Sequence, residues 1–310
     1  MLDRIPRLAV SYIASSRAEL FGVRGSPMRR HFTPLAIASA LALTTGAARA
    51  DSFTGTIYNN TTYQQSSDTQ PSTPAGYFFS LGGFFQTAGS WTTGTATYPG
   101  TGSPQALSLC CGGTQLNYGS PILTQSQLAA AYPFGTYPIA ASGGTAGSVQ
   151  SVLNYSANYF TTAVPYITNY SALNGLNPAN SFTINTNTFT PAPGTNNGYT
   201  FFTITNDATR QVVFNQGFLD PSTSSFLLVA NLLAPNTKYD FELDFSDRVD
   251  GGYNTALGTF SEQGFDVRTD GSFTTGAVVT PLPGALPLFA TGLGALGLLG
   301  WRRKRKAQAV

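Results

Sequence analysis

The chain has 310 residues, with 16 Lys and Arg, 14 Asp and Glu and a single histidine, for a net charge of +2. That sum conceals two basic ends, because residues 51–280 carry 12 acids against four bases (Arg210, Lys238, Arg248 and Arg268), giving 4 − 12 = −8. Four dispersed bases cannot neutralise a phosphate backbone, which excludes a nucleic-acid partner; with His31 as the only imidazole, residues 51–280 also lack Ser-His-Asp and Cys-His catalysis and the commonest zinc and copper ligand.

Residues 1–27 have no folded character and read as an N-terminal extension from a start codon called too early, with Met28 as the true first residue. Residues 28–50 have the order of a secretory signal: the basic head Met28, Arg29, Arg30, His31, an apolar middle from 32 to 43, and the small-residue pair Ala48 and Ala50. Cleavage by signal peptidase is expected between Ala50 and Asp51. The segment left outside the membrane is then about residues 51–280.

This segment is poor in charge and rich in Thr, Ser, Asn and Gly, yet it keeps many Phe and Tyr, which disordered chains lack. Threonines and aromatics at alternating positions favour strands, and the length suits one sandwich or two smaller ones. The expected fold is therefore mainly β, an antiparallel β-sandwich, with long helices only in the N-terminal signal and the C-terminal apolar run.

In chain order, 51–75 reads as polar turn or linker material. Tyr77, Phe78, Phe79, Ser80 and Leu81 followed by Gly82, Gly83, Phe84 and Phe85 predict a strand, a glycine turn and a second strand. Short strands are expected over 91–98 and 105–109, and a short helix over 123–131 stopped by Pro133. Cys110 and Cys111 are adjacent, with Cα atoms about 3.8 Å apart, below the usual disulfide range. Free thiols, a strained bond between neighbours and a bond to another chain all remain open.

A boundary is expected near 145, separating a Gly/Ser/Thr/aromatic-rich β region (51–145) from a β-sandwich region (146–279). Strands are predicted in the second region over 182–189, 199–205, 210–214, 226–229 and 239–245, with two short segments, 265–268 and 271–274, closing the series. The turn at Pro235 and Asn236 leading into Tyr239-x-Phe241 resembles the penultimate strands of fibronectin type III and related immunoglobulin-like modules.

Three features could carry chemistry or binding. Asp240, Glu242 and Asp244 share one strand face, with alternate side chains about 7 Å apart, so a sugar-cleaving carboxylate pair is conceivable. The simpler account is a polar face turned to water. Asp247, Asp250 and Asn254, in a glycine-containing stretch read as a loop, are candidate oxygen ligands for calcium, the one metal considered, against the plain alternative of a polar turn. Trp91, Tyr98, Tyr118, Tyr132 and Tyr137 could form a sugar-stacking platform or pack in the core.

The C-terminal stretch 280–306 is tripartite. Thr280, Pro281, Leu282, Pro283 and Gly284 precede an apolar run of 301 − 285 + 1 = 17 residues, and Arg302, Arg303, Lys304, Arg305 and Lys306 follow, leaving a short tail at 307–310. The run meets the lower limit for a membrane helix, and the basic block would hold its end on the cytoplasmic side. This ending resembles the PEP-CTERM family of bacterial sorting signals in its Val-Pro-Leu-Pro-Ala variant, with Thr280 and Gly284 in place of Val and Ala. The resemblance implies recognition by an exosortase, which removes the tail near the motif and releases or re-anchors the protein outside the cell. It implies an inner-membrane-anchored precursor and an association with exopolysaccharide. The expected role is a non-catalytic structural or adhesive component without cofactor; the alternatives are a carbohydrate-binding module with a saturable site and an Asp/Glu polysaccharide hydrolase.

Overall fold

The computed structural model describes residues 51–122, 124–278, 289 and 291–296. The signal residues Ala48 and Ala50, the motif Thr280, Pro281, Leu282, Pro283 and Gly284, and the basic residues Arg302, Arg303, Lys304, Arg305 and Lys306 lie outside the described residues. Among the described residues no helix is long and apolar enough to cross a membrane.

The fold is mainly β and sandwich-like. Its first half contains β1 (Phe53–Gln64), β2 (Pro74–Phe84), β3 (Thr93–Ala96), β4 (Gln105–Cys110), β5 (Gln115–Ile122), β6 (Gly135–Ser142) and β7 (Val149–Tyr155). Helix α1 (Gln125–Ala131) intervenes between β5 and β6, with Thr124 Oγ1 accepting from Gln127 N at its start. The second half contains β8 (Phe182–Asn185), β9 (Asn197–Asn206), β10 (Val212–Leu219), β11 (Ser225–Leu228), β12 (Lys238–Asn254) and β13 (Thr259–Thr274). An 11-stranded sheet runs β10-β9-β12-β13-β1-β2-β5-β4-β3-β6-β7, and β8 and β11 form a separate pair.

Two expectations are corrected here. The sheet is mixed, because β1 runs parallel to β13 from Phe53↔Thr259 to Gln64↔Asp270, whereas every other pairing in it is antiparallel. The boundary near 145 is also crossed: β7 pairs with β6 along Gly135↔Tyr155 to Ala141↔Val149, and β13 joins the two halves through β1. What does divide in two is the core. Phe53, Ile57, Phe79, Leu116, Tyr137, Leu153, Tyr155 and Phe265 belong to one cluster, and Ile184, Phe202, Phe226, Phe241, Leu243 and Phe273 to the other.

The first core closes because the sheet returns on itself. Strand β7 comes back against β1 and β13, with Ser151 Oγ donating to the Phe260 carbonyl at 2.8 Å and Thr259 Oγ1 to the Gln150 carbonyl at 3.2 Å. The second core closes under the β8–β11 pair, where Phe226 meets Phe202 at 4.7 Å between ring centroids. Each fully buried Phe contributes on the order of 2–3 kcal/mol by leaving water.

The predicted glycine turn after Leu81 is absent, and β2 runs straight through Gly82 and Gly83. A Cβ on Gly82 would lie 2.1 Å from the Leu116 carbonyl oxygen, and one on Gly83 2.1 Å from the Phe53 ring. These glycines permit close approach inside a sheet. The polar stretch expected as linker is likewise the central strand β1, whose Phe53 and Ile57 are wholly buried while Thr56 and Asn59 are enclosed beside them.

Candidate functional site

Strands β12 and β13 position the densest group of ionisable side chains. Their register sets Tyr239, Phe241, Leu243 and Phe245 toward the cores, and strict alternation sends Asp240, Glu242, Asp244, Ser246 and Arg248 to the other face. On β13 the same face carries Glu262, Asp266, Arg268 and Asp270, with Glu242↔Asp270, Asp244↔Arg268 and Ser246↔Asp266 directly opposed. Six acids thus share this face with two arginines: Glu242, Asp244, Glu262, Asp266 and Asp270 lie with Arg248 and Arg268, while Asp240, at the end of the row, pairs with Arg210 at 2.8 Å.

The pairing within this group is specific. Arg268 donates from Nε and Nη2 to the two oxygens of Asp270 at 2.7 and 2.9 Å, and its Nη1 lies 3.4 Å from Glu242 Oε2. Arg248 Nη1 meets Asp266 Oδ1 at 3.1 Å while its guanidinium lies over the Tyr58 ring, 4.7 Å from the centroid. Ser246 Oγ donates to Asp266, and Tyr58 OH donates to Glu262. Gly264, opposite Arg248 in the register, makes this crossing feasible. A Cβ there would lie 1.6 Å from Arg248 Nη1 and 2.3 Å from the Tyr58 ring.

The expectation of an acidic face turned to water is corrected. Asp244 is 0% exposed, neither of its carboxylate oxygens has a hydrogen-bond partner, and Asp266, Arg248 and Arg268 are also buried. Burial pushes the Glu242 carboxyl up to about 7, against the pull of Arg268. Asp244 stands well above the usual carboxylate range, first through burial and then through repulsion from Asp266. Burial also raises Asp266, although Arg248 opposes the rise. Burial works against the charge on both arginines, yet Asp266 and Asp270 hold Arg248 and Arg268, respectively, above their ordinary values.

The calcium candidates are not brought together. Residues 247–254, expected as a loop, continue strand β12, so Asp247 and Asn254 are separated by extended chain. Asp247 is fully buried on the core side, where Oδ1 accepts from Ala192 N at 3.1 Å, and burial moves its carboxyl up to about 6. Asp250 Oδ2 accepts from Asn197 Nδ2 at 2.8 Å, while Asn254 Oδ1 caps the hairpin turn through Ala256 N and Leu257 N. Among the described residues no group of three His, Cys, Asp or Glu side chains could hold a metal ion.

The aromatic platform is also absent from the surface. Trp91, Tyr98, Tyr132 and Tyr137 are buried in the first core and Tyr118 is half-buried. Tyr98 stacks on Tyr137 at 5.6 Å, and Phe79 on Tyr132 at 4.1 Å. Among the described residues the exposed aromatics are others: Phe134, Phe218, Tyr253, Phe260 and Phe289. Tyr253 and Phe260 face each other at 4.9 Å across the end of the β12–β13 hairpin, a pair visible in the sequence only once the hairpin register is known.

No family model matches the chain, and no curated protein matches it. Among solved structures it is similar to the FN1-FN3 domains of chicken CNTN1, with a TM-score of 0.21, 10% identity, and coverage of 64% of this chain and 62% of that one. A 1.5-MDa bacterial ice-binding adhesin, studied for host cell surface retention, gives a TM-score of 0.23, 15% identity, and coverage of 74% and 66%. Trypsin-activated alpha-2-macroglobulin from Escherichia coli gives a TM-score of 0.23, 9% identity, and coverage of 73% and 16%. The chain therefore spans less than two thirds of each of these structures, and at such scores the likenesses carry no functional argument.

Proposed function

We propose that the chain is a secreted, exosortase-processed protein of the cell surface or extracellular matrix, a non-catalytic structural or adhesive component associated with exopolysaccharide. The observation that carries the non-catalytic reading is the state of the acidic face. Glu242 and Asp270 are committed to Arg268, Asp266 to Arg248 and Ser246, and Asp244 is fully covered. Paired acid and base catalysis needs carboxyl groups that reach a bound sugar from a cleft, whereas these hold neighbouring strands together.

The targeting part rests on the sequence. The signal ending at Ala48 and Ala50 and the tripartite ending from Thr280 to Lys306 support export across the inner membrane, removal of the leader by signal peptidase, and sorting by an exosortase. The same resemblance supports the link to exopolysaccharide. The Pro235 turn and the Tyr239-x-Phe241 alternation support a fibronectin III-like or immunoglobulin-like reading of the second half.

The test uses the protein recovered from the extracellular fraction, incubated with a panel of bacterial polysaccharides whose chain length is followed. The expected outcome is polymer association without shortening, and an intact mass that ends before Trp301. Shortening of any polymer would refute the non-catalytic reading, and an extracellular mass that includes Trp301 would refute processing.

A further inference from the structure

The β4–β5 connection carries chemistry that the proposed role does not use. Strand β4 ends at Cys110, which pairs with Gln115 across the ladder, and Cys111, Gly112 and Gly113 form a single 3-10 turn between them. Cys111 has φ +60, a left-handed conformation that a residue with a Cβ adopts at a cost, followed by φ +71 and +81 at the two glycines. The turn is held from outside by Thr114 Oγ1 donating to the Cys111 carbonyl at 2.9 Å. Cys110 Sγ lies 3.7 Å from Gln115 Oε1, and the two thiols also interact with each other. Both cysteines are free and partly exposed. A Cβ on Gly112 would meet nothing within 4 Å, so the turn has room to change shape.

We propose that Cys110 and Cys111 are a redox-modification site, a vicinal dithiol that closes to a disulfide across their shared peptide bond when a glutathione-type or protein disulfide oxidises it. One thiolate attacks a sulfur of the oxidant, expelling its partner as a thiolate and leaving a mixed disulfide. The neighbouring thiolate then attacks the cysteine sulfur of that mixed disulfide and expels the second oxidant thiolate. The two protons lost by the cysteines end on the departing thiols, and the two electrons reduce the oxidant from disulfide to dithiol.

The geometry also sets the character of the bond. Adjacent Cα atoms lie about 3.8 Å apart across a trans peptide, short of the 4.4–6.8 Å that relaxed disulfides span. The closed ring is strained, hence easily reduced, and belongs with labile disulfides. Cys110 Sγ is turned toward Gln115 Oε1 at 3.7 Å, and burial pushes its thiol up to about 12, so Cys110 is the held, resolving thiol and Cys111 makes the first attack.

The experiment takes the full protein, fully reduces it, exposes it to excess oxidised glutathione, and reads thiol alkylation and intact mass. The expected product is a monomer lighter by two hydrogens, unreactive at both cysteines, and reopened by a glutathione buffer too weak to reduce ordinary structural disulfides. Two alkylatable thiols, a doubly glutathionylated chain, a disulfide-linked dimer, or a bond as resistant as a structural one would each overturn the proposal. In the single variants, C110S is expected to accumulate a mixed disulfide with glutathione about ten-fold faster than C111S. Equal rates, or the reverse order, would overturn the assignment of Cys111 as the first nucleophile.

Discussion

Arg268 holds Asp270 with two nearly parallel hydrogen bonds, 2.7 Å from Nε and 2.9 Å from Nη2, although the two residues are neighbours on one face of the same strand. A pair so close along β13 cannot join strands by itself. The third contact does so, from Arg268 Nη1 to Glu242 on β12. Arg268 therefore serves as a cross-strand tie whose counter-charges come from both sides.

Removing that arginine is expected to be expensive. In Arg268→Met, Glu242 and Asp270 lose their shared cation in a largely covered setting, which costs about 3–5 kcal/mol. Thermal unfolding should show Tm lower by about 10 °C or more. The triple change R268M/E242Q/D270N removes the orphaned charges as well and should recover more than half of the loss. A single variant with unchanged Tm would show that the network contributes nothing.

The network also fixes the sign of the pH dependence. Glu242 and Asp247 rise to about 7 and about 6 in the folded protein, and Asp244 and Asp266 rise with them. An acid with a raised folded pKa binds more protons folded than unfolded, so its contribution is complete below the unfolded pKa and is lost as pH rises through the folded one. Stability should therefore fall between about pH 4.5 and pH 7.5, by an amount on the order of 2 kcal/mol for Glu242 alone. Asp68 and Asp220 are lowered and act only at more acid pH. Urea midpoints at pH 5 and pH 8 measure the slope; a higher midpoint at pH 8 would contradict it, and Glu242→Gln should flatten it.

Asp244 gives the sharpest single test of buried charge. Its side chain must take up a proton or stay charged out of water, with no hydrogen bond to either oxygen. Asp244→Asn removes that choice and is expected to stabilise the protein by about 1–3 kcal/mol at pH 8, with a smaller gain at pH 5. Asp250→Asn, on an exposed part of the same strand, should change little. A destabilised Asp244→Asn at both pH values would mean that its charge is needed to balance Arg248 and Arg268.

Gly264 tests the geometry independently of charge. A methyl group there collides with Arg248 Nη1 and the Tyr58 ring together, and both are confined by their neighbours. Gly264→Ala should cost about 1–3 kcal/mol through overpacking, seen as a lowered urea midpoint with the slope unchanged. An unaltered midpoint would show that the guanidinium has a second resting place.

Much of this architecture is legible in the alternation of side chains. Tyr239, Phe241, Leu243 and Phe245 announce their own core face, and Thr124, Pro133 and Gly135 mark the ends of the short helix and the next strand. Alternation tells which residues share the opposite face, but not how deeply they lie. Asp244 reads as solvated because a period of two cannot show that Arg248 and Arg268 lie across it from neighbouring positions. β1 is hidden for a related reason, since Asn59, Asn60, Thr61 and Thr62 look like a turn until Asn59 is seen donating to Tyr155 OH at 3.1 Å and to Asn158. Gly82 and Gly83 mislead because a glycine required by close backbone approach and one required by a turn look alike in a sequence.

Calcium provides the last test, because the expected ligands now have other duties. Asp247 points into the protein and receives Ala192 N, Asp250 is held by Asn197, and Asn254 closes the hairpin turn. Gathering all three around one ion would require breaking β12 beyond Phe245 and exposing the partners that each now satisfies. Added calcium or a chelator is therefore expected to leave Tm unchanged within about 1 °C, since a ligand stabilises only by binding the folded state more tightly than the unfolded one. A rise that saturates with calcium and disappears in Asp250→Asn would show that the hairpin end rearranges into an ion site.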